Sequence, residues 1–192
     1  MACDGESKPA LQRKDARSGR LLTFAYEYAD HPKWERLATR NACADIIRAA
    51  FKRIKFDTSL NCPMPPDGMK RMVKCAAEAL KSGDVLVVYY FGHGLAHADN
   101  QYLATEDGLV CTRGLRDVVT QAVVEKGVSD ATFLLLLDCC RNEDAQGEHA
   151  KYDWASESKA HSGTHPDCRD DSVIVDARRL GITVSYSTCP GT

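Results

Sequence analysis

An α/β fold built around a mostly parallel sheet is predicted by two features of the sequence. First, the continuous apolar runs DVLVVYYF (84–91) and ATFLLLLD (131–138) have the composition of strands buried on both faces. Second, other segments carry apolar residues at i, i+3, i+4 and i+7, the period of a single helix face. Strands alternating with such helices join by right-handed crossovers, which place a parallel sheet between helical layers.

Each element follows in order. Residues 1–19 are polar and aperiodic and read as a disordered lead-in. The run LLTFAYEY from Leu21 predicts the first strand. Cys43, Ile46, Ile47, Ala50, Phe51 and Ile54 line one face of a first helix. KFDTSL (55–60) predicts a short second strand, followed by the loop NCPMPPDG. Met69, Met72, Val73, Ala76, Ala77 and Leu80 predict a second helix, with Asp67 as its N-cap. After the strand at 84–91, a polar excursion containing QYLATEDG reads as a small hairpin or irregular loop. Leu115, Val118, Val119, Ala122 and Val123 predict a third helix ending near Gly127. Residues 141–171 are polar and without period, the mark of a long mobile loop. A short helix at 172–179 and the strand ITVSYST close the chain.

Composition narrows the function classes. The 192 residues hold 25 Lys+Arg against 27 Asp+Glu, a net charge of −2, which argues against a globally basic nucleic-acid binder. At 44% hydrophobic and 27% charged, the chain has the balance of a globular protein. Its apolar runs fall far short of the ~20 residues of a membrane helix. No apolar segment follows the start MACDG, so no secretory leader is expected. The 9 Cys then read as reduced thiols of a cytoplasmic protein.

In open parallel sheets, functional groups gather beyond the carboxyl ends of the strands. One buried strand exits into Gly92-His93-Gly94, another into Asp138-Cys139-Cys140-Arg141. If the two strands are neighbours, a His and a Cys face each other across one edge. A thiol of pKa about 8.5 is mostly protonated at neutral pH, and a nearby imidazole activates it. The amides of Gly94 and Cys140 are candidates for stabilising an oxyanion, at about 3–4 kcal/mol per donor. The arrangement suits acyl transfer by a cysteine nucleophile. From spacing alone, either Cys139 or Cys140 is the attacking thiol. His161, His165 and Cys168 fall short of a closed four-ligand zinc set, and no metal site is predicted.

YYFGHG (89–94) resembles the His-Gly motif of the caspase-type cysteine proteases, which include caspases, metacaspases and paracaspases. LLLLDCCRNED (134–144) resembles their Cys motif, whose register identifies Cys140, before Arg141, with the nucleophile. VSYSTCPG (184–191), with Ser187, resembles the strand that forms part of the substrate cleft. EYADHPKWERL (27–37) resembles the paracaspase branch, as does Asp138 two residues before the nucleophile. The resemblance covers roughly residues 20–192.

It implies a three-layer α/β/α sandwich: a p20-type domain from residue 20, a loop at 141–171, and the start of a p10-like part at 172–192. It also implies a cysteine endopeptidase with His93 and Cys140 as its dyad, needing no cofactor. Caspases that cut after Asp use cationic pockets, whereas Asp138 implies a basic P1 residue, since a carboxylate pairs well with a guanidinium. The implied partners are protein or peptide substrates and a second copy or caspase-like chain, with no nucleic acid and no membrane. Some metacaspases are activated by calcium, and Asp167, Asp170 and Asp171 are the matching candidates here. Lys151 and Arg169 are candidate processing points.

Two departures stand out. Counting back from Phe56, Cys43 falls where the family places a second pocket Asp, and it also continues the apolar stripe of its helix. Asp45 points about 200° away on that helix. The sequence stops at Thr192, before the family's next strand and helix, so the expected sandwich lacks both. The alternative reading is a catalytically inactive caspase-like module that regulates an active relative.

Overall fold

The computed structural model describes residues 18–61, 63–97, 100–139, 142–143 and 181–186. The elements run β1 (Gly19–Ala25), α1 (Arg40–Arg53), β2 (Asp57–Asn61), α2 (Pro66–Glu78), β3 (Val85–Phe91), β4 (Gly94–His97), β5 (Asn100–Ala104) and β6 (Leu109–Cys111). They continue with α3 (Thr112–Glu125), β7 (Thr132–Asp138), β8 (Asn142–Glu143) and β9 (Gly181–Tyr186).

The main sheet has the order β2-β1-β3-β7-β9, with every neighbouring pair parallel. Alternate side chains leave it in opposite directions. Leu22, Phe24, Leu86, Val88, Tyr90, Phe133, Leu135 and Leu137 pack with Met69 and Val73 of α2 and with Leu115 and Val119 of α3. Leu21, Ala25, Val87, Tyr89 and Phe91 form the other face with Ala44, Cys43, Ile47 and Phe51 of α1. The result is the predicted three-layer sandwich, one helix over one face and two over the other. Burial on both faces is why β3 reads as an unbroken apolar run, while β7 reads so with one face buried and the α1-side face half-buried.

Several local expectations are corrected. β1 begins at Gly19 rather than Leu21, because Gly19 already pairs with Val85 and the Val85 amide donates to the Ser18 carbonyl at 2.9 Å. The lead-in therefore ends earlier, and residues 1–17 lie outside the described residues. Asp67 is not an N-cap. Pro65 holds that position in extended geometry, and Pro66 at N1 has no N–H needing a partner, so Asp67 stands in the first turn. In α1, Ile46 and Ile54 are 67% and 63% exposed and Ala50 faces solvent, while Ala44 is the buried residue. Cys43, Ile47 and Phe51 of the predicted stripe do pack, and the arc they form is completed by Ala44 rather than by Ile46, Ala50 and Ile54. α3 ends as its Gly predicts: Gly127 adopts φ +63, and the Val128 amide bonds the Val123 carbonyl at 3.1 Å.

The polar excursion forms a second sheet, ordered β6-β5-β4-β8. QYLATEDG is the hairpin joining β5 to β6. Thr105 closes its turn, accepting from the Gly108 amide through Oγ1 at 3.0 Å. Apart from β8, the loop at 141–171 lies outside the described residues, as does the segment 172–179. Among the described residues, no helix is long and apolar enough to cross a membrane.

Candidate active site

β3 and β7 are adjacent and in register, with Phe91 opposite Asp138, so both exits reach the same sheet edge. The Gly92 amide donates to the Asp138 carbonyl at 3.3 Å and ties the two exits together. The next residue, His93, is half-buried. Its ring stacks on Trp34, with centroids 5.1 Å apart and planes at 17°, and tilts against Tyr28 at 4.9 Å. Nε2 lies 2.7 Å from the Glu35 carbonyl oxygen. A carbonyl only accepts, so Nε2 carries the proton and Nδ1 keeps its lone pair in the neutral ring. That is the tautomer a general base at Nδ1 requires.

The partners of His93 come from the loop between β1 and α1. This loop is pinched at its neck by the Leu37 amide on the Glu27 carbonyl at 2.8 Å, and by the Arg36 guanidinium on the Glu27 carboxylate. Tyr28 stands in it at φ 56, a strained backbone for a bulky residue. Its side chain explains how that conformation persists. Tyr28 Oη donates to the Ala104 carbonyl at 2.6 Å and lies 3.0 Å from Tyr90 Oη. Tyr90 Oη reaches the His93 carbonyl at 2.7 Å, and the His93 amide donates to Tyr28 Oη at 3.3 Å. Burial raises the pKa of both phenols, which stay neutral donors. The two tyrosines thus hold the backbone of His93, while Trp34 and Glu35 hold its ring.

At the other exit, Asp138 is half-buried on the α1 side and accepts from Tyr89 Oη at 2.9 Å. Burial first, then the neighbouring Asp138, raises the pKa of the Tyr89 phenol. Half-buried Cys43 packs into the same cluster as Tyr89, so the thiol sits in the core of that face. Asp45 pairs with Arg48 at 3.2 Å on the exposed side of α1, away from that cluster. Cys139 is only 8% exposed, packs with the opposite α2/α3 face, and receives Gln101 Nε2 at 3.9 Å. Gly94 opens β4, opposite Leu103. Cys140 and Ser187 lie outside the described residues, as do Lys151, His161, His165, Asp167, Cys168, Arg169, Asp170 and Asp171.

His93, Gly94 and Asp138 therefore share one edge, as expected. Tyr28, Trp34, Glu35, Tyr89 and Tyr90 were not singled out from sequence, although the first three fall within EYADHPKWERL and the last two within YYFGHG.

A family model described as Caspase domain matches residues 25–192. Among solved structures, the chain is similar to caspase-1 from Spodoptera frugiperda, with TM-score 0.62 and 16% identity over 91% of this chain and 60% of that one. The structure of pro-Sf-caspase-1 gives TM-score 0.57 and 15% identity over 91% and 63%. Protein GSU0716 from Geobacter sulfurreducens gives TM-score 0.52 and 16% identity over 84% and 62%. At these identities the likeness is one of fold. The chain spans about three fifths of the length of these structures. Among curated proteins, none matches the sequence.

Proposed function

The chain belongs to the caspase-domain peptidase family, and from that premise we propose that it is a cysteine endopeptidase cleaving after Arg or Lys. In this reading the Cys140 thiol gives its proton to His93 Nδ1. The thiolate attacks the scissile carbonyl, and His93 returns the proton to the leaving amine. Water then attacks the thioester with His93 as base and frees the enzyme. The amides of Gly94 and Cys140 hold the oxyanion. Asp138 pairs with the P1 cation, and Ser187 lines the cleft.

The observation that carries the reading is the Nε2–H bond from His93 to the Glu35 carbonyl, which leaves Nδ1 as acceptor at the exit shared with β7. Burial of Cys139 on the opposite face supports Cys140 as the nucleophile. The Tyr89 hydroxyl on Asp138 supports an oriented pocket carboxylate. Thiol chemistry fits a reducing, cytoplasmic setting, with protein substrates and a second copy or caspase-like chain as partners. One observation favours the inactive regulatory module instead: a packed thiol, Cys43, stands where the family's second pocket acid is expected.

Fluorogenic peptides ending in Arg, Lys or Asp, assayed with and without calcium, test the proposal. Cleavage after Arg or Lys is expected, with a loss of at least about 10³-fold in Cys140→Ala and little loss in Cys139→Ala. Cleavage after Asp would remove the pocket role of Asp138. No turnover by the folded chain, with or without calcium, would leave the regulatory module.

A further inference from the structure

We propose that His31 is a positioning residue for His93, acting through the turn that carries Trp34 and Glu35; its kinetic consequence rests on the peptidase reading above. His31 Nδ1 accepts the amides of Lys33 and Trp34, each at 3.1 Å. This is the pattern an Asn or Asp side chain makes when it organises a turn two and three residues ahead. With Nδ1 accepting, the ring proton sits on Nε2 and donates to the Glu106 carbonyl at 2.9 Å, in the turn between β5 and β6. The imidazole therefore staples two loops 75 residues apart in sequence.

The orientation of the peptides at 33 and 34 is what aims the next groups. Trp34 is buried and lies flat on the His93 ring. The Glu35 carbonyl accepts from His93 Nε2. Pro32 offers no amide to help close the turn, and the neck bond from Leu37 to Glu27 fixes the loop's ends rather than its tip. The side-chain hydrogen bonds of His31 brace the tip, beside the burial of Trp34 and the bond of the His31 amide to the Tyr28 carbonyl at 3.2 Å. Without the side-chain bonds the Glu35 carbonyl is released, and the His93 ring loses the bond that sets both its plane and its proton.

The test combines kinetics with NMR of ring protons. In the parent chain, the His93 Nε2–H is expected as a protected, slowly exchanging signal, because its acceptor is in place. In His31→Ala that signal is lost, and kcat for the Arg peptide falls about 10- to 100-fold with KM nearly unchanged, the scale of a small misplacement at a reacting group. His31→Asn keeps an acceptor for the two amides, and is expected to restore the signal and to bring kcat within about threefold of the parent. A protected His93 Nε2–H persisting in folded His31→Ala overturns the proposal, as does His31→Asn behaving like His31→Ala. If His31→Ala does not fold, His31→Asn decides: a protected signal supports the proposal, and its loss overturns it. If the parent chain cleaves no peptide, the peptidase reading fails, while the NMR comparison still decides the role of His31.

Discussion

Gly92 has no side chain, and two phenols close over the place where one would begin. A Cβ there would stand 2.7 Å from Tyr28 Oη and closer still to Tyr90 Oη. Both hydroxyls are buried and hydrogen-bonded, so neither can retreat without breaking a bond to Ala104 or His93. Gly92→Ala is therefore expected to cost about 1–3 kcal/mol in chemical denaturation. It should also weaken the ring contacts of His93, visible as altered imidazole shifts. An unchanged midpoint would mean the phenols yield freely. His93 was legible from sequence because a polar residue between glycines at a strand exit is conspicuous. The group that orients it was not, because any residue at position 35 presents the same carbonyl. Only the path of the loop reveals which one points at the ring.

The elements divide in the same way. β3 and β7 could be read directly, since β3 is covered on both faces and the half-buried α1-side face of β7 is still apolar from Phe133 to Leu137, which leaves no polar alternation to misread. α1 was located correctly and its face only in part: Cys43, Ile47 and Phe51 of the expected stripe pack, whereas Ile46, Ala50 and Ile54 do not. Cys43, Ala44, Ile47 and Phe51 form the packed arc, and a short alanine carries too little apolar signal to compete with Ile46 and Ile54. Ile46→Asp is accordingly expected to change stability by no more than about 0.5 kcal/mol. Phe51→Ala removes an edge-to-face partner of Phe56 at 5.0 Å and is expected to cost about 2 kcal/mol. Urea midpoints of the two variants distinguish these outcomes, and a large loss in Ile46→Asp would show that the exposed face is covered. The second sheet was only half legible, because β4 and β6 are four and three residues long, too short for a periodic signal.

At the scale of the whole molecule, Asp84 secures the end of the sheet opposite His93. Its carboxylate accepts the amides of Lys81 at 2.9 Å and Ser18 at 3.2 Å, and its carbonyl accepts from Thr132 at 2.9 Å, joining the heads of β1, β3 and β7. Burial pushes the carboxyl up, but the two amides and the Lys81 charge outweigh it and hold the pKa below the usual range. The stabilisation is therefore complete above the unfolded value of about 3.9 and fades as pH falls through the lower folded value. Asp84→Asn is expected to lower stability by about 1–2 kcal/mol at pH 7. Thermal melts should show the gap to the parent narrowing below about pH 4. A gap independent of pH would remove the carboxylate from the account.

The convergence of strand exits has a consequence for how the protein comes to life. His93 meets its carbonyl partner across 58 residues of sequence, and Tyr89 meets Asp138 across 49. No local segment contains both sides of either contact. Loop closures of that length delay folding, and partners so far apart can meet only once three strands have docked side by side. A chain emerging from the ribosome therefore carries Glu35, His93 and Asp138 as separate residues until β7 is synthesised and paired. The fold itself delays the assembly of that edge until synthesis has passed β7.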